Sequence, residues 1–443
     1  MADVSGCPLT GISACPVMAS VMLQPPAGPN EGHLLPHLST SPVGDSHLPA
    51  SSVGDSGLLT SPISSSASVT LKGSVTPSPR MKKLLEGANH PGDSHNPPQP
   101  PQWLDRELFD RGREFYKRYL YCLGTSDLLS LVMTLSAERA LKPLIYTGRS
   151  DTPMKALRRY FSTLLHLITW FTGDVWDPNN SAHKDILFVR SIHCKLSRTF
   201  NSSTYKEKVT AINVTKKGHK EPAKSLNSAI RQDLQRVAEE TLPLETADTP
   251  VIYINQLDMS LTQYAFMGLI VAHPEKLGAG AATEEEIAGL IHFWRGIGWL
   301  MGVEDQYNFC SGSLVETKEL CLEVERLIFI PLLAKVDWNY EHMATSLMTG
   351  INYIVPFISY PAMFRYLAYI LDIPVSTFVS KTSYLHSFHY WLMRLTFSLI
   401  LLVPCLLVLL NSLFLSLIDV AQRKRFKLTM SGSPKLHEAS PEH

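Results

Sequence analysis

The sequence predicts an all-α protein with a disordered leader and one membrane-spanning helix near its end. Between residues 104 and 371, apolar side chains recur at steps of three and four, the period of a buried helix face. Residues 1–100 are rich in serine, poor in aromatics and hold half of the 30 prolines. Within them Val43-Gly44-Asp45-Ser46 recurs as Val53-Gly54-Asp55-Ser56. Such a segment cannot bury enough apolar surface to offset its chain entropy. Asp3 stands where a signal peptide would carry positive charge, and no long apolar run follows it. Finally, residues 395–418 run without a charge, about 36 Å of helix and enough to cross the hydrocarbon region with some tilt.

The chain has 443 residues, 45% of them hydrophobic, enough for one large domain with appendages. Lysine plus arginine equals aspartate plus glutamate at 40 each, so no net field points to nucleic acid. Seven scattered cysteines without a C-x-x-C pair suggest neither a disulfide framework nor a zinc site.

Order is expected from Trp103, with a domain over 103–375. Residues 104–121 carry Phe109, Phe115, Tyr116 and Tyr119 at roughly helical spacing. Residues 128–141 are a second apolar helix, containing Glu138 and ended by Pro143. Residues 155–171 are a third, with Leu157, Phe161, Leu164, Leu165, Ile168 and Phe171 as its apolar stripe. Arg159, Thr163, His166 and Trp170 follow another of its faces at steps of three and four. Gly173 stops it, and Asp177-Pro178-Asn179-Asn180 forms a turn and cap for the next. Residues 201–248 read as a polar, partly basic excursion into solvent; their lysines are not interleaved with aromatics as a single-strand binder needs. Asn179, Asn201 and Asn213 open N-x-[ST] sequons, which matter only in a lumenal domain.

Residues 259–271 form another apolar helix. Thr283 with Glu286 is a capping box, followed by an apolar face at Ile287, Leu290, Ile291, Trp294, Ile297 and Met301. Gly296, Gly298 and Gly302 suggest close approach by another helix or a flat ligand. Residues 314–333 are amphipathic; 346–371 are apolar but broken by Pro356 and Pro361. His389, Tyr390 and Trp391 precede the 395–418 span, and Arg423, Lys424, Arg425 and Lys427 open the tail at 419–443. The basic tail favours a cytosolic C-terminus and the missing signal peptide a cytosolic domain, which leaves orientation open.

The chemistry centres on residues 186–196. As a helix they bring Ile186, Val189, Arg190, His193, Leu196 and Phe200 to one side, apolar but for one guanidinium and one imidazole. Both must be satisfied if buried. Haem would satisfy them, its iron taking the imidazole and a propionate the guanidinium. A core hydrogen bond for His193 and a carboxylate for Arg190 would serve equally.

The order Arg159, Thr163, then Arg190-Ser191-Ile192-His193 resembles the latex-clearing (rubber oxygenase) and MpaB-type oxygenase family. An arginine and threonine four apart are followed there, about thirty residues on, by an R-x-x-H whose histidine is the proximal haem ligand. The resemblance extends to 255–266, with Asp258 and Thr262, and to Phe293-Trp294-Arg295-Gly296-Ile297-Gly298-Trp299-Leu300-Met301-Gly302, over roughly 105–375 in all. It implies a globin-related helical bundle, haem b, and oxidation of a lipophilic, often isoprenoid, substrate by dioxygen. Carried across, His193 ligates iron, Arg190 supports the haem or its propionates, Arg159 and Thr163 line the pocket, and Glu138 is the candidate distal base. The leader and the span depart from the secreted rubber-degrading members, which argues against polyisoprene as substrate.

The chain has no P-loop, nucleophile elbow, H-E-x-x-H or dinucleotide fingerprint. The single H-x-x-H at His386 and His389 supplies too few ligands for a di-iron centre. The expected protein is a single-pass membrane oxygenase, with an endomembrane such as the endoplasmic reticulum favoured. A non-catalytic anchored helical scaffold is the competing reading.

Overall fold

The structure, a computed structural model, describes residues 76–222, 224–238 and 251–430, with side chains to 423. Among the described residues it is all helix, apart from an isolated bridge between Pro91 and Asn255. Of the leader expected over 1–100, residues 1–75 lie outside them.

Order begins well before Trp103. Helix α1 (Pro79–Glu86) starts where Ser78 accepts the Met81 N–H and Pro79 fills the first turn, and it buries Met81 and Leu84. The following loop is held by the Gly92 N–H to the Ile254 carbonyl at 3.0 Å. Two apolar side chains on one short helix were enough to draw this part of the proline-rich stretch into the core.

Helix α2 (Arg106–Arg118), capped by Asp105, leads to α3 (Leu120–Thr134) and α4 (Glu138–Thr147). The expected 128–141 helix is in fact two, meeting at 97°. The break falls at Leu135–Ala137, where Ser136 donates to the Met133 carbonyl at 2.7 Å and Ala137 turns extended. Pro143 lies inside α4 and does not end its predecessor.

Helices α5 (Pro153–Thr172) and α6 (Ser181–Asn201) form an antiparallel pair, with Asn180 capping the second. Asp185 of α6 accepts the Trp170 indole N–H at 2.7 Å and lies 2.9 Å from His166 Nδ1, both on α5. The expected solvated excursion is partly packed. It contains α7 (Ser203–Thr210) and α8 (Asn227–Leu234), which bury Val209, Ile230 and Leu234. Residues 239–250 lie outside the described part.

Helix α9 (Gln256–Ala272) is the central element, buried on nearly every side. Helix α10 (Glu284–Leu300) carries the expected Thr283–Glu286 capping box. It crosses α2 so closely that a Cβ at Gly112 would stand 2.2 Å from the Gly289 carbonyl oxygen. A Cβ at Gly298 would collide with the Gln263 side chain, so the predicted close approach to this glycine is made by α9. Helix α11 (Leu314–Val324) passes through a π-helical turn at Glu325–Phe329 into α12 (Ile330–Leu333). Glu325, buried in that turn, accepts from Tyr264 Oη at 2.8 Å and lies 2.9 Å from His273 Nε2. Helices α13 (Trp338–Ile351), α14 (Tyr360–Ile370) and α15 (Ser376–Ser380) complete the domain.

The uncharged run at 395–418 is shared by two helices. It begins in α16 (Tyr384–Leu402), breaks at Val403 and continues in α17 (Pro404–Met430), with Pro404 in the first turn. Residues Pro404–Arg423, with a mean hydropathy of 2.0, form one helix long and apolar enough to cross a membrane. One side of α17 packs on α3. There Asn411 Oδ1 accepts the Tyr121 N–H at 2.9 Å, and its Nδ2 donates to the Arg118 carbonyl at 2.8 Å. The opposite side presents Val408, Leu409 and Leu413, all exposed.

Candidate functional site

A cavity of about 460 Å³ lies within the bundle, between α3, α4, α5, α6, α9, α10 and α17. That is within the range of small-molecule sites, which run from roughly 300 to 1,000 Å³. Its walls are overwhelmingly apolar: Leu128, Leu131, Leu144, Phe161, Leu164, Phe266 and Trp294 among others. The face of α5 read from the sequence points into it, with Arg159, Thr163, His166 and Trp170 all in the wall. His193 comes from α6. A second cavity, about 340 Å³ and lined by Asp93, Cys194 and Ser197, adjoins it, and His193, Ile254, Met259 and Met301 belong to both walls.

Most polar groups in the large cavity already have partners. His166 and Trp170 are held by Asp185. Gln263 donates to the Trp294 carbonyl at 2.8 Å and to Asn308 Oδ1 at 2.9 Å, and accepts from the Phe309 N–H. Arg139 lies 3.6 Å from Asp258 and donates to the Ile252 carbonyl. Thr163 donates its hydroxyl to the Arg159 carbonyl at 3.3 Å, a helix-internal bond that leaves its lone pairs facing the cavity.

Three titratable groups stand apart. His193 makes no hydrogen bond, and its Nδ1 is sealed from solvent without a partner. Burial, and then the charge of Arg159, push its pKa down to about 4, so the ring is neutral at pH 7. Its partial accessibility is to the cavity it lines. Arg159 is engaged by neither hydrogen bond nor ion pair; its guanidinium lies 6.0 Å from the Tyr160 ring, and burial draws its pKa down from the usual range. Asp127 on α3 has an unpartnered, buried Oδ1, and desolvation alone raises its carboxyl well above the ordinary range. Burial thus favours its protonated form over the carboxylate. Each unmet buried polar group costs roughly 1–3 kcal/mol, so two of them beside an unpaired guanidinium in one cavity mark a candidate ligand site.

No match for this chain is found among family models, curated proteins or solved structures.

Two expected site residues are placed elsewhere. Arg190 turns away from the large cavity. Its Nε and Nη2 donate to Asp93 Oδ1 at 3.1 and 2.5 Å, and its Nη1 to the carbonyls of Asn96 and Leu300 at 2.8 and 3.3 Å. The guanidinium is spent on fastening the residues after α1 to α6, which is the carboxylate pairing that its sequence context also allowed. Burial pushes the Asp93 carboxyl up, but Arg190, Cys194 and the His95 N–H outweigh it and hold it below the ordinary range. Glu138 sits in the first turn of α4, its side chain 76% exposed and paired with Lys142 at 3.1 Å. It does not reach the cavity. Asp127, the unpartnered carboxyl in the cavity wall, had a sequence signal: it is the one charged residue in the apolar stretch 120–137.

The donor set fits a haem. One neutral imidazole with no protein partner can serve as an axial ligand, which must be unprotonated. With Arg190 committed and Arg139 paired, Arg159 is the cation left to meet the haem carboxylates. Ligating histidines usually have their second nitrogen held by a carbonyl or carboxylate. His193 departs from this, since packing alone orients it.

Among the described residues no cluster of three or more His, Cys, Asp or Glu is arranged to hold a bare metal ion. His386 and His389 lie by the Ser359 hydroxyl, at 3.0 and 3.4 Å.

Proposed function

We propose that the chain is a membrane-anchored, haem-dependent oxygenase that uses dioxygen to oxidise a lipophilic, isoprenoid-like substrate, and that it works in an endomembrane. One observation carries the reading: a neutral, unpartnered imidazole, an unpaired guanidinium and an unpartnered carboxyl converge on one apolar cavity. The order of Arg159, Thr163, Arg190 and His193 in the chain, with its likeness to the MpaB and rubber oxygenase family, supports it further.

Bound haem would supply the oxidising chemistry, which no protein side chain provides. The chain's own part is separable. His193, neutral at pH 7, offers a ring nitrogen that needs no deprotonation before it binds. Arg159 supplies positive charge in a low-dielectric setting, where pairing with a carboxylate offsets the expense of its own burial. Burial favours the protonated form of Asp127, the form that can donate a proton within the cavity. The apolar walls exclude water and orient a hydrocarbon chain.

The test is the absorption spectrum of protein purified with haem supplied. Stoichiometric haem with a Soret band in the wild type, lost in His193→Ala, is expected. Equal haem content in the two proteins refutes the ligand assignment, and a wild type without haem refutes the oxygenase reading.

A further inference from the structure

The cavity does not end in the core. Phe414 and Ile418, both on α17, are part of its wall, facing Gly124 and Leu128 of α3. The outward side of the same helix carries Val408, Leu409 and Leu413, exposed by 67%, 63% and 53%. These two sides are set by helical period: 407, 411, 414 and 418 face inward, and 409, 413 and 420 outward. If α17 spans the membrane, one helix is all that separates the cavity from lipid.

That wall has a weak point. The Phe414 ring rests on Gly124, where a Cβ would stand 3.1 Å from the ring edge. A ring held against a bare glycine can swing about χ1 and χ2 without moving a backbone, whereas the wall on either side is filled by Leu128 and Ile418. We propose that the cavity takes an uncharged single-chain lipid directly from the bilayer, through the seam between α3 and α17, with the Phe414 ring on Gly124 as its door. The proposal rests on the large cavity being the substrate site argued above.

The chemistry of the seam selects the ligand. A charged end would have to pass Gly124, Leu128 and Phe414 stripped of water, with no ionic partner on the way. Beyond them burial disfavours charge on Asp127, and Arg139 already has Asp258 beside it. If Arg159 is given to the haem carboxylates, no cation remains in the cavity for an anionic headgroup. A prenyl or long alkyl chain ending in a hydroxyl or in nothing polar meets every one of these conditions.

The full chain can be tested in phosphatidylcholine vesicles containing a long-chain alcohol with a diazirine at the far end of its chain. After illumination, labelled peptides are mapped by mass spectrometry. Labels on the cavity side, at Leu128 and Leu164, are expected in the wild type, besides those on the outward side of α17. Phe414→Trp should lower the cavity labels about tenfold, since an overfilled seam resists opening. Leu413→Trp, on the outward side, should leave them unchanged. If Phe414→Trp does not fold, Gly124→Ala presses on the same ring and should act in the same direction. The same probe ending in a carboxylate should label only the outward side. Labels confined to the outward side in the wild type, or equal cavity labelling in Phe414→Trp, overturn the portal. Cavity labelling by the carboxylate probe overturns the uncharged class. Haem content read on the same sample separates the two ideas. Haem without cavity labels sinks the portal alone; cavity labels without haem sink the oxygenase reading alone; neither sinks both.

Discussion

Replacing His193 by Leu should flatten the pH dependence of stability between pH 7 and 4.5. In the folded chain this ring resists a proton until about pH 4, while in the unfolded chain it takes one near 6.5. Between those values unfolding binds a proton, so the stability present above pH 6.5 drains away as pH falls and the loss levels off below about pH 4. For one group shifted by that much, the loss from pH 7 to 4.5 comes to about 2 kcal/mol. His292, His342, His386 and His389 are also displaced downward by burial, but they are present in both proteins and cancel in the difference. The measurement is urea unfolding in detergent, on haem-free wild type and His193→Leu, at the two pH values. The wild type should lose about 2 kcal/mol more than the variant over this range. Parallel losses would show that the ring is as free to charge in the folded chain as in water, and the account of a buried, unpartnered ligand would fail.

Other outcomes follow from the same geometry. Arg159→Met removes an unpaired cation, so it should stabilise haem-free protein by about 1–3 kcal/mol while weakening haem retention, read by thermal melting and Soret absorbance. A variant less stable than wild type in haem-free form would show that Arg159 has a partner after all. Glu138→Gln, on the surface, should leave haem content and substrate turnover unchanged, whereas Asp127→Asn should lower turnover with haem retained; the reverse pattern would restore Glu138 as the candidate distal base. Gly112→Ala should cost about 1–3 kcal/mol, because its methyl meets the Gly289 backbone and α2 and α10 must part. A neutral effect on the melting temperature would mean the crossing is looser than described.

Helical periodicity made the α5 and α6 faces legible, because residues three and four apart meet on one surface whatever lies beyond it. Arg159, Thr163 and His193 were found on that basis and do share a cavity. The fate of Arg190 was not legible. Its carboxylate, Asp93, is 97 residues away in a proline-rich stretch, and nothing local announces a pairing made only when the chain closes on itself. The α3–α4 corner was hidden for another reason: Pro143 is the louder breaker, yet Ser136 competes for the backbone seven residues earlier. The 395–418 run showed its length but not the break at Val403, nor that Phe414 and Ile418 face inward. An apolar residue reads the same whether lipid or a cavity lies beside it.

Asn411 has a consequence for how the molecule can be handled. Its amide serves both ends of the kink between α2 and α3, so α17 is bolted to the domain and is no loose leash. A chain ending before Pro404 would lose more than a helix long and apolar enough to cross a bilayer. It would expose the Tyr121 N–H and the Arg118 carbonyl to whatever solvent remained, and it would strip the cavity of Phe414 and Ile418, letting water reach Asp127 and Arg159. Such a shortened protein would be a different object, with a flooded interior, and its inactivity would say nothing about the chemistry of the intact one.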